Sequence, residues 1–386
     1  MKLLYSLGEM TRVAAFIGGT TVRKVGKRNR RVKRVGALLV AFSLALAALT
    51  GGVGPHANAG GVSRPHGVGA TVDLRMPGAL AVSSRNVLYV VDWRRDQIVR
   101  RGAGGRFDVV AGNGRRGFSG DGHRAVNAEI SVRQWSGLAV ASNGTVYFAD
   151  VGNDRIREIL PDGIIETVAG GGTEPLGTAP VAALRARFGT VDPLNGLALG
   201  PGGQFYIASN GVYRLTDGVL HWIVGSTAPG LNKGFTTYGT GPAFQKDFAP
   251  AYTLAFDGRG DLLVGGGETW SLYERTVGGA LRFVQEDRAQ GGYYAAMAAA
   301  PDGSVVIAGG GRGLARFHPS GLLTTIPARG LSSLLPPPSH FTVGEGVAVA
   351  SNGAIYLDAD ANNGFTNVSA IVRVTTAGRA TLVWKS

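Results

Sequence analysis

One phrase returns six times along this chain. It opens as GALAV at Gly78, GLAV at Gly137, GLAL at Gly196, TLAF at Thr253, AMAA at Ala296 and GVAV at Gly346, at intervals of 59, 59, 57, 43 and 50 residues. A steady core with a period of this length marks a repeat architecture, in which one supersecondary unit is copied and stacked. The clearest copy, Gly137 to Gly170, divides into four short runs: Leu138 to Ala141, Thr145 to Ala149, Ile156 to Leu160 and Ile164 to Ala169. Asn143-Gly144 and Asp162-Gly163 separate runs, and such dipeptides supply the positive φ angles of tight hairpins. Each unit therefore reads as a four-stranded antiparallel meander.

A lone four-stranded sheet with two apolar faces cannot bury both. Six of them arranged radially bury each face against a neighbour and close into a ring. The fold class that follows is all-β, a six-bladed β-propeller of four-stranded antiparallel blades over residues 76–386, preceded by an arm at 60–75. Gly67 to Leu74 is a candidate for an added edge strand, and closure rests on blade one packing against blade six. Composition agrees: 62 glycines among 386 residues imply many turns, and 44% apolar residues supply a core. Cys is absent, which excludes a disulfide scaffold, a thiolate metal site and a cysteine nucleophile.

The second copy carries Asp150, Asn153, Arg155 and Ile156 in the pattern ADxxNxRI, followed by PDG and TVAG, and it resembles the NHL repeat. GNGRRGFSGDGHRAVNAEI, from Gly112 to Ile130, is similar to the inter-blade phrase of bacterial secreted NHL proteins. Blade one matches through Asp92, Gln97 and Ile98, blade three keeps only its strands, and blades four and five carry glycines at Gly265 to Gly267 and Gly309 to Gly311. The resemblance implies the propeller fold and leaves function open, because propellers host enzymes, receptors and scaffolds alike.

The formal charge of +13 is concentrated at the amino terminus. Met1 to Ala59 holds ten basic residues and one acid, which leaves 29 basic and 25 acidic residues, a net of +4, in the remainder. A nucleic-acid partner needs a concentrated basic stripe, so none is expected. Residues 1–59 have the parts of an export signal: the basic run RKVGKRNRRVKR, an uncharged stretch from Val35, and small residues ending in Ala57, Asn58 and Ala59. Cleavage after Ala59, with Ala57 and Ala59 as the small residues the peptidase accepts, predicts a secreted protein. The alternative is an uncleaved anchor in the cytoplasmic membrane with the propeller outside, because Val35 to Gly54 is uncharged and about long enough to span a bilayer.

The histidines beyond the leader are scattered over different loops and strands, with no HxH or HExxH spacing, so no zinc site is predicted. GFSGDG at Gly117 lacks the Lys-Ser/Thr of a phosphate loop, and no GxSxG elbow occurs. The residues just before the six opening phrases, Pro77, Ser136, Asn195, Tyr252, Ala295 and Glu345, are expected to face the central channel. Ser136, Asn195, Tyr252 and Glu345 are the candidate channel ligand-binding residues. LNGLAL around Asn195 and GEGVAV around Glu345 are similar to channel segments of gluconolactonase and paraoxonase-like enzymes. That resemblance implies calcium held by a carboxylate and asparagine carbonyls, polarising a lactone. The ring supplies one carboxylate, and calcium takes about six to eight oxygens, so no cofactor is expected, with Ca²⁺ on Glu345 and Asn195 as the alternative. Asp92, Asp150, Asn153 and Arg155 form a candidate loop-face binding set, weighed against turn capping. The expectation is a monomeric, non-catalytic binding module for protein or glycan, and the alternative is a calcium-dependent lactonase or lyase working in the channel.

Overall fold

The computed structural model describes residues 70–188, 194, 196–225, 241–242, 251–266, 271–286, 296–309, 313–334, 340–362 and 367–386. The leader, with Ala57 and Ala59, lies outside the described residues. Six antiparallel sheets stand in a ring. In each, the first strand is a terminal strand of the sheet, and the six first strands neighbour one another in ring order from blade one round to blade six and back. That is the six-bladed propeller the repeats predict.

Blade two shows why the units fold. Its strands are Leu138–Val140, Val146–Asp150, Arg155–Ile159 and Ile164–Gly170. Val146, Phe148, Ile159 and Ile165 pack with Val91, Ile98 and Val110 of blade one, while Ala149, Ile156 and Ala169 pack toward blade three. Period-2 alternation thus sends successive side chains into two different inter-blade cores. The turns between first and second strands are set by one side chain: Asn143, Asp257, Asp302 and Asn352 each accept the N–H two residues on, through Oδ1. This local bond replaces a missing ladder bond and fixes the turn.

Two features differ from the four-stranded expectation. Blades one to four gain a fifth, two-residue strand from the connection that precedes them: Thr71–Val72, which is the edge strand expected within Gly67 to Leu74, and the unexpected His123–Arg124, Val181–Ala182 and Gly241–Pro242 pair with the respective fourth strands. Blades five and six have four strands among the described residues. Blade six instead has a long central hairpin, Ile355–Asn362 with Asn367–Val374, paired along its whole length. Closure of the ring is apolar. Leu80, Leu88 and Val90 of blade one pack with Ala348, Ile371 and Trp384 of blade six. Ser351 adds N–H and hydroxyl bonds to Asn86 Oδ1 at 2.8 and 3.0 Å.

Candidate functional site

In a meander, the segments leading into first strands and the turns between second and third strands share one face of the ring, here called the mouth face. Behind it the first strands surround a cavity of about 50 Å³ that opens to solvent. Two consecutive residues from each blade line it, beginning with Ala79, Gly137, Gly196, Thr253, Ala296 and Gly346. The second of each pair is Leu, Met or Val, whose side chains are buried in the inter-blade cores, so the exposed wall is mainly strand backbone with Thr253 as its polar side chain. Leu80 pairs with Val90, and Leu138 with Phe148, each two places before the strand-ending aspartate. Gly78, rather than Pro77, therefore stands where Ser136 stands. Gly78 is also required sterically, since a Cβ on it would fall 2.2 Å from the Gln134 carbonyl oxygen.

The four channel candidates have different surroundings. Ser136 is fully buried and its Oγ accepts the Arg133 N–H at 2.8 Å, so its hydroxyl holds the turn leading into blade two. Tyr252 is half-buried and forms a bulge, because Ala251 pairs with Gly266 and Thr253 with the adjacent Gly265. Asn195 lies outside the described residues. Glu345 lies in the first strand of blade six, His340–Val349, and only its backbone is described. That backbone is unusual. Val343 pairs with Ala359 and Val347 with Leu357, so three residues, Gly344, Glu345 and Gly346, stand opposite one, Asp358.

Asp358 is the residue that the spacing of the repeats misses. It is almost fully buried, and its Oδ1 accepts the Gly346 N–H at 2.7 Å, which pins the bulge. Gly344 leaves the room this needs, since a Cβ there would fall 2.2 Å from Asp358 Oδ2. Asp360, two residues on, accepts the Ser369 hydroxyl at 2.7 Å, and burial raises its pKa against that bond. Blade six thus brings Glu345 and a buried carboxylate onto neighbouring strands at the mouth.

The loop-face candidates fall into two groups. Asp92 is fully buried, with its carboxylate accepting Arg75 N–H at 3.0 Å and Met76 N–H at 3.3 Å. Burial raises its pKa and these bonds oppose the shift. Asp150, Asn153 and Arg155 belong to one network. Asp150 Oδ1 accepts the Ser131 N–H at 2.6 Å and Asn153 Nδ2 at 2.8 Å, while Asn153 Nδ2 also donates to the Gly117 carbonyl at 2.7 Å. Arg155 donates to the Asn153 carbonyl at 2.6 Å and stacks over Phe118 at 3.8 Å.

At the centre of that network is Arg157, fully buried. Its Nη2 donates to Ser119 O at 2.8 Å and Asp121 Oδ1 at 2.7 Å, and its Nη1 to Glu129 O at 3.2 Å, with Asp150 Oδ2 at 3.5 Å. The GFSGDG loop is thereby fastened across blade two. On the opposite face, Asp257, Asp261 and Glu274 of blade four place carboxylate oxygens within 4.8 Å of one another. Their charge is already met: Arg259 reaches Asp257 at 2.9 Å, Asp261 at 3.0 Å and Glu274, and Arg282 also binds Glu274.

No protein-family model matches the chain, and no curated protein matches it. Among solved structures it is similar to a virginiamycin B lyase from Staphylococcus aureus, with 16% identity, a TM-score of 0.47 and coverage of 81% of this chain and 87% of that one. A gluconolactonase from Xanthomonas campestris aligns with 12% identity, a TM-score of 0.45 and coverage of 82% and 87%. The PQQ-bound aldose sugar dehydrogenase of Streptomyces coelicolor aligns with 19% identity, a TM-score of 0.45 and coverage of 75% and 90%. This likeness is one of fold and carries no activity to the chain. The expectation of a non-catalytic binding module, with its leaning against an enzyme, is not kept, because the propellers of similar fold bear enzyme names. That expectation rested on a full ring without a visible catalytic set, yet the solved propellers are by name a lyase, a lactonase and a dehydrogenase. The binding-module reading is withdrawn.

Proposed function

We propose that the chain is a propeller enzyme of the lactonase or lyase type, acting at the mouth of the axial channel. We propose further that it is exported by cleavage after Ala59, and that blades one and two are NHL repeats. The observation that supports the enzyme reading is the blade-six bulge. Three residues against one bring Glu345 into register with buried Asp358 beside the channel. Glu345, Asp358, Asn195 and the Thr253 hydroxyl are oxygen donors only, the chemistry a hard divalent cation takes, and the glycine cradle at Gly344 accommodates the second carboxylate. The donor chemistry therefore fits calcium, with Glu345 and Asn195 as its holders. When bound, such an ion supplies Lewis-acid polarisation of an ester carbonyl.

The rest of the work falls to the chain's own groups. Asp358 fixes the bulge through the Gly346 N–H. Leu80, Leu138, Leu197, Leu254, Met297 and Val347 are buried between the blades and hold the six first strands around the channel in a fixed ring. The test is calorimetric titration of the full chain with Ca²⁺, together with turnover of a lactone and ester panel. Calcium uptake with turnover abolished by Glu345→Ala is expected. Absence of turnover across the panel, with or without calcium, sinks the reading.

A further inference from the structure

We infer that the mouth selects anionic substrates, gripped by arginines of blade one and of the segment leading into blade two; this rests on the channel-enzyme reading. The acidic bulge and the arginines are joined by a short chain of contacts. A Cβ on Gly346 would fall 2.5 Å from the Gly78 carbonyl oxygen, and Gly78 in turn abuts Gln134. Ala79 N–H donates to Gln134 O at 3.2 Å, and the next residue, Trp135, is 41% exposed. On the other side of Gly78, Asp92 holds the Arg75 and Met76 N–H groups, and Trp93 N–H donates to Met76 O. Arg75, Trp93 and Trp135 therefore rim the same opening.

More positive charge follows outward. Arg94 lies 5.8 Å from the Trp93 ring centre, and Arg95 is next in the same turn. Gln97 Nε2 binds Gly112 O and Arg116 binds Asp96 Oδ2 at 3.2 Å, which draws the 112–117 loop, with exposed Arg115, over this turn. Arg75, Arg94, Arg95 and Arg115 make no ion pair among the described residues. The carboxylates beneath are spent: Asp92 and Asp150 are fully buried on backbone and local donors, and nearly buried Asp96 serves Arg116. Half-buried Glu129 and Asp154 stand on the blade-two side, beside Gly117 and Arg155.

Unpaired guanidinium groups beside indole rings suit a ligand with an anionic group on a ring-shaped body. The guanidinium forks bind carboxylate or phosphate oxygens, and the exposed Trp135 indole covers its apolar face, while Trp93 packs into the core between blades one and two beneath Arg94. Among the described residues the arginines border the opening on the side of blades one and two, and the chain beyond Ala59 carries a net charge of only +4, so the fit is to a small anion entering the channel rather than to a polyanion laid across the face.

The test compares three lactones on the full chain: neutral gluconolactone, carboxylate-bearing glucarolactone and phosphogluconolactone. At least one anionic lactone is expected to show kcat/KM about tenfold above the neutral one. The anionic-to-neutral ratio falls about tenfold in Arg75→Gln/Arg95→Gln. It holds in Arg379→Gln, an exposed arginine in a turn on the opposite face. Which anionic lactone is preferred tells carboxylate from phosphate. Equal turnover of all three, or a ratio unmoved by the double variant, overturns the inference while leaving the enzyme reading intact. Glucarate binding is measured alongside. Arginine-dependent glucarate binding without turnover supports the anion site and overturns the lactonase reading, and neither binding nor turnover overturns both. Tight heparin binding with no discrimination among the lactones also overturns it, in favour of a polyanion surface.

Discussion

Blade two and blade four each contain a cluster of opposite charges, built with the roles reversed. In blade two Arg157 is fully buried together with Asp150, and its remaining side-chain and carbonyl partners come from afar: Ser119 and Asp121 are 38 and 36 residues away, on a loop that crosses the mouth face. In blade four the buried ions are Asp257, Asp261 and Glu274, served by Arg259 and Arg282, whose side chains are 42% exposed. Those partners lie between 2 and 15 residues away, on a turn and the adjoining strands. Ordering a long connection costs conformational entropy, and a planar guanidinium that collects several acceptors at once offsets it. Blade four has no distant segment to hold and ties neighbouring rungs together. The difference teaches that one kind of cluster anchors the mouth while the other stiffens a hairpin on the far face.

The largest expected effect follows from that reading. Arg157→Leu strands Asp150 without its cation and leaves the Ser119 and Glu129 carbonyls without their donor, at a cost of about 3–5 kcal/mol in denaturant unfolding. Limited proteolysis of the variant is expected to cut first within residues 112–130. Arg157→Lys restores the charge but not the fork, and is expected to recover only part of the loss. Glu274→Gln in blade four is expected to cost less, about 1–2 kcal/mol, because half-exposed Arg259 and Arg282 turn to water when their partner goes. Equal losses in the two variants would break the comparison.

The contrast between the clusters also marks how far the sequence could be read. The number of blades and the four core strands of each were legible because alternation and turn dipeptides such as Asn143-Gly144 are local, and local chemistry repeats with the unit. Edge strands such as His123–Arg124 were not, since two polar residues carry no period and pair only because a neighbouring fourth strand offers a free edge. Arg157 reads as an ordinary polar residue in RIREI; it is buried because a loop 36 residues upstream folds over it. At the candidate site, spacing located Glu345 but not Asp358. The phrase YLDA puts that aspartate one place before the position of Asp150, and only the three-against-one bulge reveals what it does.

The acid response of blade two gives a smaller test, and its sign is informative. Burial raises the pKa of Asp150 above its ordinary 3.8, against the bonds from Asn153 and Ser131 and the charge of Arg157. The folded state therefore holds this proton more tightly than the unfolded chain, so the wild type gains stability as pH falls through the raised pKa. The gap between wild type and Asp150→Asn, which does not titrate, is expected to widen as pH falls through the raised pKa and to level off below the ordinary 3.8. Urea midpoints across that range measure it. A gap that narrows in acid would mean that the Arg157 charge outweighs desolvation, which would make blade two an ordinary ion pair and blade four its equal.

The smallest effect concerns how the loop is held beyond Arg157. The Arg155 guanidinium sits 3.8 Å and that of Arg157 5.0 Å from the centre of the Phe118 ring, which is 42% exposed. At such a half-open site a cation over an aromatic face contributes about 0.5–1 kcal/mol. Phe118→Ala is expected to cost that much, and a double-mutant cycle with Arg155→Met isolates the pair from the buried network beneath it. Coupling near zero would leave the loop held by its hydrogen bonds alone, those of Arg157 and Asn153 among them. Coupling of the expected size would make the anchor two-layered, a buried fork under an exposed stacked pair, for which blade four has no counterpart among the described residues.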